Sequence, residues 1–178
     1  VTRPAAAFIW NNNDIAYTWG PAFREPGNTR DIAKSILTLT HADGWAYGSN
    51  FINVDILFSD RDDPRQTGGG GAREIYVVDR QDFDLQKIVG GHWSLGPVKT
   101  VMIEAGADIN SKNDPFGSEK RMPVAGLAVA FDVPGFWKFS VLWDKEWNRN
   151  GIVGRDVAFR STYRIESAWE IPFALGGH

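Results

Sequence analysis

Cysteine is absent from this chain, which excludes a disulfide framework and a thiolate metal site while leaving the compartment open. Long apolar runs are absent too. Uncharged stretches such as 124–131 fall far short of the roughly 20 residues a membrane helix needs, and mean hydropathy is negative. A helical membrane protein is thereby excluded. A barrel is not, because each of its strands carries only an alternating signal and its inner half is polar. Basic charge is not in excess either, and a net charge of −3 offers no footprint for nucleic acid. No signal peptide is visible at Val1, so an exported protein would be represented by its mature form. Nothing marks a boundary between two domains, and a single domain over 1–178 is expected.

What the chain does have is aromatic and glycine content: eight Trp, eleven Phe and nineteen Gly, which favour β structure. The clearest stretch is FWKFSVLWDKEW at 136–147. Trp137, Phe139, Val141, Trp143 and Trp147 share one side of an extended strand, and Lys138, Ser140, Asp144 and Glu146 share the other. Tryptophans near both ends of an apolar face resemble a membrane-interface girdle.

Eight such segments are expected, near 14–23, 35–41, 49–59, 74–84, 98–110, 124–133, 136–147 and 162–173. The third of the short connections is VPG at 133–135, the first is placed at HADG (41–44), and the second spans 86–97. Long, charged connections at 24–34, 60–73, 111–122 and 148–160 alternate with these, as outer loops alternate with periplasmic turns in an outer-membrane barrel. The expected fold is an all-β, antiparallel, up-and-down transmembrane β-barrel. A soluble barrel or sandwich alternates in the same way with its apolar face inside, so the pattern leaves that alternative open.

Five stretches carry a family resemblance: THADGWAYGSNFINVDILFSD (40–60), GGGGAREIYVV (68–78), GPVKTVMIEAGADINSKND (96–114), FDVPGFWKFSVLWDKEWNRNGIVG (131–154) and YRIESAWEIPF (163–173). Together they resemble the nucleoside-specific channels of bacterial outer membranes, the Tsx-like proteins. The resemblance implies a monomeric outer-membrane barrel, contact with lipid, and passive uptake of nucleosides or similar small solutes. Family barrels have about twelve strands against eight here, and ALGGH (174–178) does not end on the usual terminal aromatic. Either C-terminal strands are missing or the sheet closes by pairing its last strand with its first; the first of these is the expectation.

On the polar faces lie Asn53, Asp55, Arg80, Glu104, Asp108, Asn110, Asp144, Glu146, Arg164, Glu166 and Glu170, a set that must face a lumen because charge facing lipid is costly. These residues either bind solute through several weak hydrogen bonds or form a structural network of Arg80 and Arg164 with nearby carboxylates. Phe51 interrupts the polar run on its face and is a candidate for stacking on a base. Gly68–Gly71 lacks the Lys-Ser or Lys-Thr of a phosphate loop, and Asp60, Asp62 and Asp63 do not have EF-hand spacing, so no cofactor or metal is expected. Ser35 and His41 lie at opposite ends of one strand, which argues against a hydrolase. A surface receptor acting through the long loops, and a soluble barrel holding an apolar ligand, are the alternative functions.

Overall fold

The computed structural model describes residues 8–25, 28–63, 70–93, 95–114, 117–151 and 153–173. They form one antiparallel sheet. Its strands are β1 (Trp10–Phe23), β2 (Ile32–Trp45), β3 (Gly48–Ser59), β4 (Arg73–Asp84), β5 (Val98–Lys112), β6 (Glu119–Phe131), β7 (Phe136–Asp144), β8 (Trp147–Asn150), β9 (Arg155–Ala158) and β10 (Thr162–Glu170), with one short helix, α1 (Leu85–Val89). The spatial order is β1-β2-β3-β4-β5-β6-β7-β10, an up-and-down meander, and β8 leaves this path to pair with β6 and β9.

The eight expected segments are therefore the eight strands of the main path, and β8 with β9 forms an additional hairpin where a loop was expected at 148–160. The turn expected at HADG is instead continuous strand. β2 runs on to Trp45, which pairs with Gly48 across Ala46 and Tyr47. The connection at 86–97 contains α1, whose first turn is capped by Asp84 accepting from the amides of Gln86 and Lys87. β7 ends at Asp144, so Glu146 lies between strands and Trp147 opens β8. The VPG turn is as expected. Gly135 supplies a positive φ of 89°, and a Cβ there would meet the Glu170 carbonyl at 2.1 Å.

Side chains alternate between two unlike faces. Ile103, Leu127, Val141 and Trp143 are exposed on one face, with Val54, Ile56, Val101 and Val129 half-buried among them. On the other face Glu104, Asp108 and Asp144 are buried, while Asn53, Asp55 and Glu166 are half-buried. The charged face is the concave one. Arg80 on β4 touches Glu166 on β10, four ladder steps away, at 2.6 Å. Four steps in a flat sheet would separate those strands by about 19 Å, so the sheet must curl until the two face each other.

The curl is tight enough to need small residues. A Cβ on Gly106 of β5 would sit 2.0 Å from the Asp79 carbonyl oxygen on β4, and that neighbour is backbone. Gly106→Ala is expected to push β4 and β5 apart and to cost about 1–3 kcal/mol or more, read as a lowered urea midpoint. An unchanged midpoint would show that the strands relax without cost.

No ladder joins β10 to β1 among the described residues: β1 pairs only with β2, and β10 only with β7. The closure of the eighth strand on the first, one of the two arrangements considered from sequence, is not seen. ALGGH lies outside the described residues.

Candidate functional site

The concave face gathers six of the expected residues into one network. Arg80 projects from β4, with Gly106 its cross-strand neighbour on β5. Its Nη2 and Nε donate to Glu166 at 2.6 and 3.0 Å, a two-pronged pairing, and its Nη1 donates to Asp108 at 2.8 Å. Arg164 on β10 donates to Asp108 at 2.9 Å, to Glu166 at 2.9 Å and to Asp144 at 3.1 Å. Asp108 thus bridges both guanidinium groups. Glu104, fully buried, accepts from Ser140 and lies 3.3 Å from Lys138 Nζ and 3.6 Å from Arg80 Nε.

The remaining expected residues lie elsewhere. Asp55 and Asn53 accept from Thr38 and Thr40 at 2.6 and 2.8 Å, a cross-strand ladder between β2 and β3. Asn110 donates to Glu74 and accepts from the Lys120 amide. Glu146, outside the ladder, accepts from Asn148. Glu170 and Phe51 are exposed, and both line a cavity of about 780 Å³ on the concave face.

Lys138, Asp82, Ser140 and Trp10 were not among the site residues expected from sequence. Lys138 donates to Asp82 at 2.8 Å, and Ser140 reaches Glu104, so β7 ties into β4 and β5 across the interior. The signal was present in the alternation, which put Lys138 and Ser140 on the wet face of their strand and Asp82 two residues from Arg80. Trp10 also lines the cavity, because β1 begins four residues earlier than the alternation suggested.

A second ionic cluster closes the end of the sheet where the long loops emerge. Lys34 and Lys112 are buried, to 6% and 8% exposure. Lys112 Nζ lies 3.1 Å from Asp63, 3.1 Å from Glu25 and 3.2 Å from Asp114, and Lys34 pairs with Glu25. Asn28 donates to the Asp62 carbonyl and Arg30 pairs with Asp62, so the first two long loops are latched together. Burial alone would raise the Glu25 carboxyl; hydrogen bonds from Lys34 and Lys112, and their charges, outweigh it and hold Glu25 below the ordinary carboxylate range.

A depressed folded-state value means that the latch contributes stability at neutral pH and loses it as pH falls through that value. Hydrogen-exchange protection of 28–33 and 60–63, corrected for intrinsic rates, is expected to persist at pH 6 and to collapse below the ordinary carboxylate value of 4.5. Glu25→Gln should show the weakened protection already at pH 6. Equal protection at all pH values would mean that Glu25 does not fasten the loops.

His41 accepts or donates toward Asn13 at 2.7 Å and Asp43 at 3.1 Å, whereas Ser35, six residues away on β2, pairs with Tyr17. Six residues of strand span roughly 20 Å, so serine and histidine do not converge. Among the described residues no group of three or more His, Asp or Glu is placed to hold a metal ion. Gly68 and Gly69 lie outside them.

With this geometry in view, the chain was compared with known proteins. It matches no family model, no curated protein and no solved structure. The site is therefore read from its own chemistry.

Proposed function

We propose that this chain is a transmembrane β-barrel protein of a bacterial outer membrane that passes small polar solutes, nucleosides being the class to which the sequence motifs point, without covalent chemistry. One observation carries the reading: the faces are inverted relative to a water-soluble β protein. Large apolar side chains, Ile15, Tyr17, Ile103, Leu127, Val141, Trp143 and Ile165 among them, are exposed on the convex face, while Arg80, Glu104, Asp108 and Asp144 are buried on the concave one. In water that arrangement wastes apolar burial and strands charge inside. In a bilayer it places the apolar band against lipid and the charges along a lumen. On this reading the β1 and β10 edges must be paired in hydrocarbon, where each unsatisfied backbone group costs several kcal/mol.

Solute would pass the Arg80–Asp108–Arg164 network, whose charged groups offer several hydrogen bonds and hold none of the solute for long. Swelling of liposomes containing the protein is expected to be faster with nucleosides than with sugars of like size, and Arg164→Ala is expected to shift that ratio while leaving insertion intact. Equal rates for every solute in both proteins would sink the nucleoside site. Monodisperse behaviour in plain buffer would sink the membrane placement itself.

A second reading rests on the same network. The ion pairs Arg80–Glu166 and Arg164–Asp108 cross the interior directly, and a barrel closed on eight strands would leave room for little more than side chains. A plugged barrel would then serve as a platform for its long loops, as a surface receptor does. Folded protein that inserts but gives no swelling with any solute would select this reading.

A further inference from the structure

We propose that the convex face carries a binding site for the anionic phosphate headgroup of a surrounding lipid, held by Arg121 and Lys145 on either side of Trp147. The inference rests on the membrane placement proposed above and adds to it a lipid chemistry that this placement does not require.

The order of side chains along β6, β7 and β10 toward the long loops carries it. Leu127, Val141 and Ile165 form one register row on the convex face, and all three are exposed. The next row in that direction is Ala125, Trp143 and Tyr163, its two aromatic rings again exposed. Beyond it Lys145, in the link between β7 and β8, donates its backbone amide to the Pro123 carbonyl, and one row further Arg121 stands opposite Trp147. Aliphatic, then aromatic, then cationic is the succession met on passing from hydrocarbon into the headgroup layer.

Both cations are free to take an anion. Arg24, Arg30, Lys34 and Lys112, at the same end of the sheet, are each tied to a carboxylate. Arg121 is exposed and has no carboxylate within ion-pair distance among the described residues, and its register row, Ile109, Trp147 and Ala158, holds no acid. Lys145 donates to the Phe159 carbonyl and lies 5.6 Å from the centre of the Trp147 ring, so further ammonium donors remain for a ligand. Trp147 is exposed on the same face. A phosphate seated at the indole edge meets the Arg121 fork and the Lys145 ammonium, donors that match its acceptor oxygens. One row further out Arg149 faces Glu119 across one ladder and Asp156 across the other, so that row carries no positive surplus.

Folding equilibria of the full chain, titrated with urea in vesicles of phosphatidylcholine alone and of phosphatidylcholine with phosphatidic acid, test the assignment. A lipid that binds only the folded state raises the folding constant. Phosphatidic acid is expected to raise that of the wild type by about fivefold for each of the two cations, about 25-fold together. Arg121→Gln and Lys145→Gln should each keep only about fivefold of this gain, and the double variant none of it. Arg149→Gln should keep all of it. A wild type indifferent to phosphatidic acid, or a gain that survives in the double variant, would overturn the site. So would a gain that falls as far in Arg149→Gln, which marks a diffuse surface potential, or one that oleate reproduces at equal surface charge, which removes phosphate as the ligand. The membrane placement is read separately, from folding into phosphatidylcholine alone. A protein that folds there without responding to phosphatidic acid refutes only the site, and one that folds into neither vesicle refutes both.

Discussion

Arg80→Ala is expected to destabilise the protein by about 3–5 kcal/mol, the usual consequence of removing one partner from a buried ionic group. The magnitude follows from what the guanidinium leaves behind. Glu104 and Asp108 are buried to 0% and 4% exposure, and Glu166 would lose both of its bonds from β4. Glu166→Gln should cost clearly less, because its side chain is partly solvated and Arg80 keeps Asp108. Urea titration in micelles, followed by tryptophan fluorescence, gives both values, and the double variant gives their coupling. A loss under about 1 kcal/mol for Arg80→Ala would mean that the interior is wet enough to hydrate three carboxylates, at odds with a packed network. If solute passes this network, Arg80→Ala should also raise flux, since the variant removes a bridge across the lumen.

Leu127→Arg separates the membrane reading from a soluble one with a single substitution. Leu127 is 59% exposed on the convex face, flanked in register by Ile103 and Val141, which are exposed as well. Facing lipid near the midplane, an arginine there costs about 2–4 kcal/mol. Facing water, a substitution at so exposed a position stays within about 0.5 kcal/mol. Reversible folding into phospholipid vesicles, titrated with urea, distinguishes the two. A shift within experimental scatter would remove the apolar band from the bilayer.

Much of this was legible in the sequence, for a definite reason. The alternation of Val101, Ile103, Ala105, Ala107 and Ile109 with Glu104, Asp108 and Asn110 fixes the faces of β5, because a strand offers its side chains two sides only. The same logic fixed the wet sides of β7 and β10. A period of two names a face and not a partner, however. That Arg80 meets Glu166, 86 residues on, depends on how far the sheet curls, and no local signal carries that. Asp43–Gly44 is an ordinary turn signal, yet the chain stays extended there. Gly44 makes room for the Trp10 indole, since a Cβ would lie 2.0 Å from its Nε1, and Asp43 is held by Asn50 and His41. Tertiary packing outweighed local preference. The break after Asp144 was hidden for another reason: Trp143 and Trp147 have the same parity, so the pattern reads straight through a two-residue gap. The latch of Glu25, Lys34, Asp63 and Lys112 joins residues from loops and strand ends, where no periodicity exists to be read.

The strand order has a consequence for how the molecule acquires its shape. Along the path from β1 to β7 every pairing joins neighbours in the chain, so each new strand closes a short loop, and the entropy lost per step grows only slowly with loop length. The single exception is β7 with β10, separated by the β8–β9 hairpin. Local pairings favour rapid formation, and the longest closure is the natural laggard. Arg164 and Glu166 ride on that last strand. The pairs that Arg164 and Glu166 make with Arg80, Asp108 and Asp144 therefore wait until β10 docks, whereas Arg80–Asp108 and Lys138–Asp82 join strands already in place.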